Sequence, residues 1–161
     1  FCSLAKATNM SLRTQEHCIA RLALVLDQTP SNYYLYPVLA ATLIVTRAMN
    51  PPLYAQIRSG ISSTEDLMGW LETMGPYYKK DDRIAVAVAS YVNASDPDEA
   101  RSTLRRCRLE NQVNDADLDP TIRNRAREVL QFSEKLRNSF QGAPNLAYLL
   151  EKIDLAETLQ R

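Results

Sequence analysis

At 161 residues the chain suffices for one domain, or one domain with a small appended piece, and for a substantial core. Nineteen Lys and Arg balance nineteen Asp and Glu, so no global field draws the molecule toward nucleic acid or an anionic membrane. Four glycines leave few left-handed turns, and three scattered cysteines, Cys2, Cys18 and Cys107, form neither a disulfide framework nor a CxxC metal pair.

In chain order, the apolar residues recur at helical rather than alternating spacing. Ser11 is an N-cap for a first long helix reaching about Asp27, with Leu12, Ile19, Leu22, Ala23 and Leu26 as its expected core stripe. Thr29-Pro30-Ser31-Asn32 breaks it. Pro37 suits the first turn of a second helix, apolar almost all round to Met49 and therefore expected at the centre of the fold. Leu35 to Val45 is too short for a bilayer span and contains Pro37 and Thr42.

Asn50-Pro51-Pro52 ends that helix and opens a short one through Arg58. Ser63 with Asp66 forms a capping-box variant for the next, whose face carries Leu67, Trp70, Leu71 and Met74, and Gly75-Pro76 stops it. Between Asp81 and Asn93, Ile84, Val88, Tyr91 and Val92 fit a helix, while Val86, Val88 and Tyr91 also fit a strand. Asp96-Pro97-Asp98-Glu99 and Asp119-Pro120 are two further helix starts, each with a cap and a proline. The helix from Asp119 bears Ile122, Ala126, Val129, Leu130, Leu136 and Phe140 on one side. Gly142-Ala143-Pro144 separates it from a last helix with Leu146, Leu149, Leu150, Ile153 and Leu159. The expected fold is all-α, an irregular bundle or array of about seven to eight helices. A soft boundary near Ser95-Asp96 divides an apolar, Tyr-rich part, residues 1–95, from a more charged part, residues 96–161.

Several chemistries have no residues to carry them. No glycine precedes a lysine, so the phosphate-cradling G-x-x-x-x-G-K-[ST] loop is absent. One histidine, His17, excludes HExxH and multi-histidine metal centres. Cys18 follows His17 directly, and adjacent helical residues point about 100° apart, which disfavours a Cys–His nucleophile pair. Carboxylate neighbours such as Glu65/Asp66 and Asp81/Asp82 are explained by capping and the helix dipole. The chain itself is expected to be non-catalytic and without cofactor.

Three constellations remain. Arg13, His17 and Arg21 lie at i, i+4, i+8 on one face of the first helix, and Arg13 sits in a first turn that already carries partial positive charge. A solvated polar face explains them; so does an anion. Arg101, Arg105 and Arg108 share a helix face, with nearby acids able to pair with them, which disfavours a nucleic-acid site. Tyr33, Tyr34 and Tyr36, with Tyr54 nearby, suit either a partner surface or the edge of a helical core.

LAKATNMSLRTQEHCIARLALVL followed by YLYPVLAATLIVTRAMNPPLYAQIRSG, within residues 1–60, resembles the helical region C-terminal to the nucleotide-binding core of KAP-family P-loop NTPases. The likeness lies in the Leu-Ala-x-Ala helix end, Ser-Leu-Arg opening a helix, the Arg-Leu-Ala-Leu run and the Asn-Pro-x-Leu-Tyr turn. The resemblance implies that this is part of a longer cytoplasmic protein whose ATP and Mg belong to an upstream domain, an implication in keeping with a first residue that is Phe1 rather than Met. It implies a helical region that couples nucleotide state to a protein partner, with Arg13 placed like an arginine that reaches nucleotide phosphates. A helical protein–protein scaffold without nucleotide, binding through Arg101, Arg105 and Arg108 or Tyr33, Tyr34 and Tyr36, is the alternative, and nucleic-acid binding through Arg101, Arg105 and Arg108 is a weaker one.

Overall fold

A computed structural model describes residues 8–30, 36–74, 82–96, 98–139 and 146–158. Among them every regular element is an α-helix: α1 Leu12–Asp27, α2 Pro37–Met49, α3 Pro51–Ser59, α4 Thr64–Thr73, α5 Asp82–Ala94, α6 Glu99–Asn114, α7 Pro120–Ser139 and α8 Leu146–Thr158. None of these helices is long and apolar enough to cross a membrane. Cys2, Tyr33, Tyr34, Gly75-Pro76, Tyr77, Tyr78, Asp81, Pro97, Phe140, Gly142-Ala143-Pro144 and Leu159 lie outside the described residues.

Two helices form the centre. In α2 every residue from Leu39 to Thr46 is buried, and its two interior threonines return their hydroxyls to the backbone, Thr42 to Val38 O (2.7 Å) and Thr46 to Thr42 O (2.8 Å). That self-satisfaction lets polar residues occupy an apolar interior. In α5 the residues from Ala85 to Asn93 are buried, which resolves its ambiguous pattern: a segment enclosed on all sides loses the periodicity by which helix and strand are told apart. Alanines and Ser90 let α7 approach closely. Ser90 Oγ donates to Val129 O (3.2 Å), and Ser133 Oγ contacts both Ser90 O (3.2 Å) and Val129 O (2.7 Å). The core draws Leu39, Leu43, Leu71 and Val88 from before Ser95 and Leu109, Val129, Leu150 and Ile153 from after it. α8 closes the array by packing on α1 and α2.

The caps follow the sequence closely, with one exception. Ser11 accepts from Thr14 N, Ser63 and Asp66 form the expected reciprocal box, and Asp119 accepts from Thr121 N at 2.7 Å. Before α6, however, the cap is Asp98, not Asp96; Asp98 accepts from Arg101 N, while Asp96 turns inward to meet arginines. α1 departs from expectation more strongly. Cys18 and Val25 are its buried residues, whereas Leu12 is 71%, Ile19 51% and Leu26 46% exposed, and Ala23 is also exposed. The helix is apolar on two faces, and the one with Cys18 and Val25 packs against α2 and α8.

Gly60 ends α3 at φ +76°, and a Cβ there would collide with Arg101 Cδ. Gly60→Ala is thus expected to strain the left-handed backbone and displace Arg101 from Ser59 O, to which it donates at 3.0 Å. A loss of about 1–3 kcal/mol in urea unfolding checks this; an unchanged midpoint contradicts it.

Candidate anion-binding groove

α1 and the C-terminal end of α2 border an open groove of about 320 Å³ lined by Arg13, Thr14, His17, Cys18, Arg21, Arg47 and Ala48. The i, i+4, i+8 spacing on α1 supplies Arg13, His17 and Arg21. Ser11 fixes the start of that helix, and burial of Cys18 and Val25 sets its rotation. Arg13 and His17 are exposed and Arg21 is half-buried; its Nε is shielded from solvent without a hydrogen-bond partner among the described residues. The third arginine was not singled out from sequence. Arg47 is the only charged residue of α2, and a lone charge in an otherwise apolar helix was the signal that marked it.

Arg47 is held from behind. Its guanidinium pairs with Asp154 of α8, donates to Ile153 O at 3.2 Å and lies 5.3 Å from the centroid of the Tyr54 ring. Asp154 also accepts from Tyr54 Oη (3.1 Å) and pairs with Arg58 (3.2 Å). Burial above all, then the Asp154 charge, pushes the Tyr54 hydroxyl far above its ordinary range, so Tyr54 stays a neutral donor. Among the described residues the groove lining has three guanidinium groups, an imidazole and no carboxylate. Arginine forks converging without an acid favour an anion with several oxygens, such as a phosphoryl group.

His17 and Cys18 both border the groove, but in unlike settings. Cys18 is 1% exposed, and burial raises its thiol pKa, opposed in part by the Arg21 charge. A protonated, enclosed thiol is a poor nucleophile, so the pair lacks the thiolate that covalent chemistry needs.

The second arginine group is divided by the fold. Arg105 is 5% exposed; it donates to Asp96 Oδ2 (3.0 Å) and Val92 O (3.3 Å), fastening the start of α6 to the end of α5. Burial lowers its pKa and the Asp96 charge restores part of the loss. Arg101 pairs with Asp96 (3.4 Å) and Asp98 (3.2 Å). Both are ion-paired fasteners, Arg105 buried and Arg101 nearer the surface, and of the trio only Arg108 is exposed without an ion-pair partner among the described residues. Tyr36 is half-buried and stacks on Tyr91, centroids 5.8 Å apart and planes 7° from parallel, so it belongs to the edge of the core. Tyr33 and Tyr34 are not among the described residues.

No family model, curated protein or solved structure matches this chain.

Proposed function

We propose that this domain is a non-catalytic helical module that binds a phosphoryl-bearing anion in the α1–α2 groove and conveys its presence to a protein partner. The supporting observation is the convergence of Arg13, Arg21 and Arg47 on one groove that no carboxylate lines among the described residues, with a shielded Arg21 Nε that has no acceptor among them. Under the resemblance to the helical region of KAP-family NTPases, the anion is the phosphate chain of a nucleotide held by a P-loop domain. Arg13, exposed in the first turn of α1, is then the side chain that extends toward it. An anion beside the N-terminal turn also offsets the poor placement of a cation there. Arg47, tied through Asp154 to α8, supplies the route from the groove to the far end of the chain.

Calorimetric titration with inorganic tripolyphosphate at low ionic strength tests the reading. Binding to the wild type and a loss of at least about tenfold in Arg21→Glu support it. Equal affinity in both proteins, or no heat in either, removes it. In a full-length P-loop protein, unchanged ATP turnover and nucleotide affinity in Arg13→Ala would remove the nucleotide-sensing role alone.

A further inference from the structure

Among the described residues the exposed stripe on α1 is the clearest unpartnered feature outside the groove. Leu12, Ile19 and Leu26 follow one another at seven-residue intervals, with Ala23 exposed beside them and Leu22 half-buried at the edge. A seven-residue step drifts only about 20° around a helix, so these side chains form one line along it. The line is symmetric about Ile19, with a leucine seven residues to either side.

The charges at its two ends are reversed relative to the helix dipole. The first turn holds Arg13 and no acid; the last holds Asp27 and no base. Dipole energetics favour the opposite at each end. Asp27 is exposed and has no ion-pair partner among the described residues. An antiparallel copy of the same helix corrects both ends at once, placing a carboxylate beside each positive terminus. A parallel copy would set arginine against arginine and aspartate against aspartate.

We infer that this face is the interface of a two-fold symmetric dimer in which α1 pairs antiparallel with α1 of a second copy. Ile19 lies on the symmetry axis, Leu12 packs against Leu26 of the partner subunit, and Arg13 pairs with Asp27 of the partner subunit. Such an interface is isologous: each contact occurs twice except the one on the axis. A single helix pair buries little area, so the dimer is weak and forms as concentration rises. Ile19, Leu26 and Asp27 do not line the groove, whereas Arg13 borders both surfaces, so Ile19→Glu, which leaves the groove lining intact, tests the dimer separately from anion binding.

Sedimentation equilibrium over a wide concentration range, with cysteine cross-linking in a Cys2→Ser, Cys107→Ser background, tests it. The wild type is expected to pass from monomer to dimer, and Ile19→Glu to weaken association by more than about a hundredfold while keeping its helical circular dichroism. Arg13→Asp and Asp27→Arg should each weaken it about two- to fivefold, and combining them should restore it. Oxidation should join Ile19→Cys chains readily and Leu26→Cys chains poorly, since only position 19 meets itself across the axis. A wild type that stays monomeric at every concentration would show that this face awaits another segment or protein, and the inference fails. It fails equally if Leu26→Cys cross-links as fast as Ile19→Cys.

Discussion

Asp96→Ala is expected to destabilise the domain by about 3–5 kcal/mol, the largest effect of any single polar substitution in the array. The Asp96 side chain is 4% exposed and Arg105 5%, and they meet at 3.0 Å. Removing the carboxylate leaves a guanidinium enclosed by protein, facing Val92 O but no counter-charge. The penalty therefore includes stranding the remaining charge as well as losing a contact. Arg101 loses one of its two carboxylates in the same step. The double substitution Asp96→Ala, Arg105→Met should cost less than Asp96→Ala alone, because the stranded charge is then gone and Met fills part of the space. Urea unfolding of the three proteins decides it; equal losses for the single and double variants would mean that Arg105 is adequately solvated after all. Since domains of this size are stable by only about 5–15 kcal/mol, the single variant is expected to lie close to its unfolding threshold.

Asp154→Ala is expected to act with opposite sign on stability and on anion binding. Asp154 joins α2, α3 and α8 by accepting from Arg47, Tyr54 and Arg58, and these charge-assisted contacts make its loss cost about 2–4 kcal/mol. Within the proposed function, Arg47 no longer has its positive charge compensated from behind, so the groove becomes more electropositive. Tripolyphosphate affinity should rise severalfold at low salt and converge on the wild-type value as salt screens the field. Thermal unfolding and calorimetry on the same preparation measure the two effects together. Lower stability with lower affinity would show that Asp154 matters by shaping the groove; unchanged affinity would show that Arg47 does not take part.

The legibility of this fold varied with how local its causes are. The caps at Ser11, Ser63/Asp66 and Asp119 were readable because each involves residues three apart or less. The central position of α2 was readable because burial on all sides needs apolar residues on all sides. The orientation of α1 was not: two faces are apolar, and only the space between α2 and α8 selects Cys18 and Val25 over Leu12, Ile19 and Leu26. Asp96 misled for a similar reason. Its spacing from Pro97 suits a cap, but Asp98 also suits one, and the buried guanidinium of Arg105 competes for Asp96.

The candidate groove was half legible. Arg13, His17 and Arg21 share a face by helical arithmetic alone, while their meeting with Arg47 depends on how α1 lies against α2, set by side chains spread from Cys18 to Val45. Arg101, Arg105 and Arg108 form an equally regular triplet, yet the fold buries Arg105 and ties Arg101 to two carboxylates. A row of arginines thus acquires meaning from the acids that reach it. Asp96 reaches the second row; among the described residues no carboxylate lines the groove that holds the first.

Mapping amide shifts by NMR while tripolyphosphate is titrated into the labelled protein tests the central claim most directly. The groove predicts saturable changes concentrated at Arg13, Thr14, His17, Cys18, Arg21, Arg47 and Ala48, absent in Arg21→Glu. Changes centred instead on Arg108 and the exposed face of α6, or none at any residue, would contradict it.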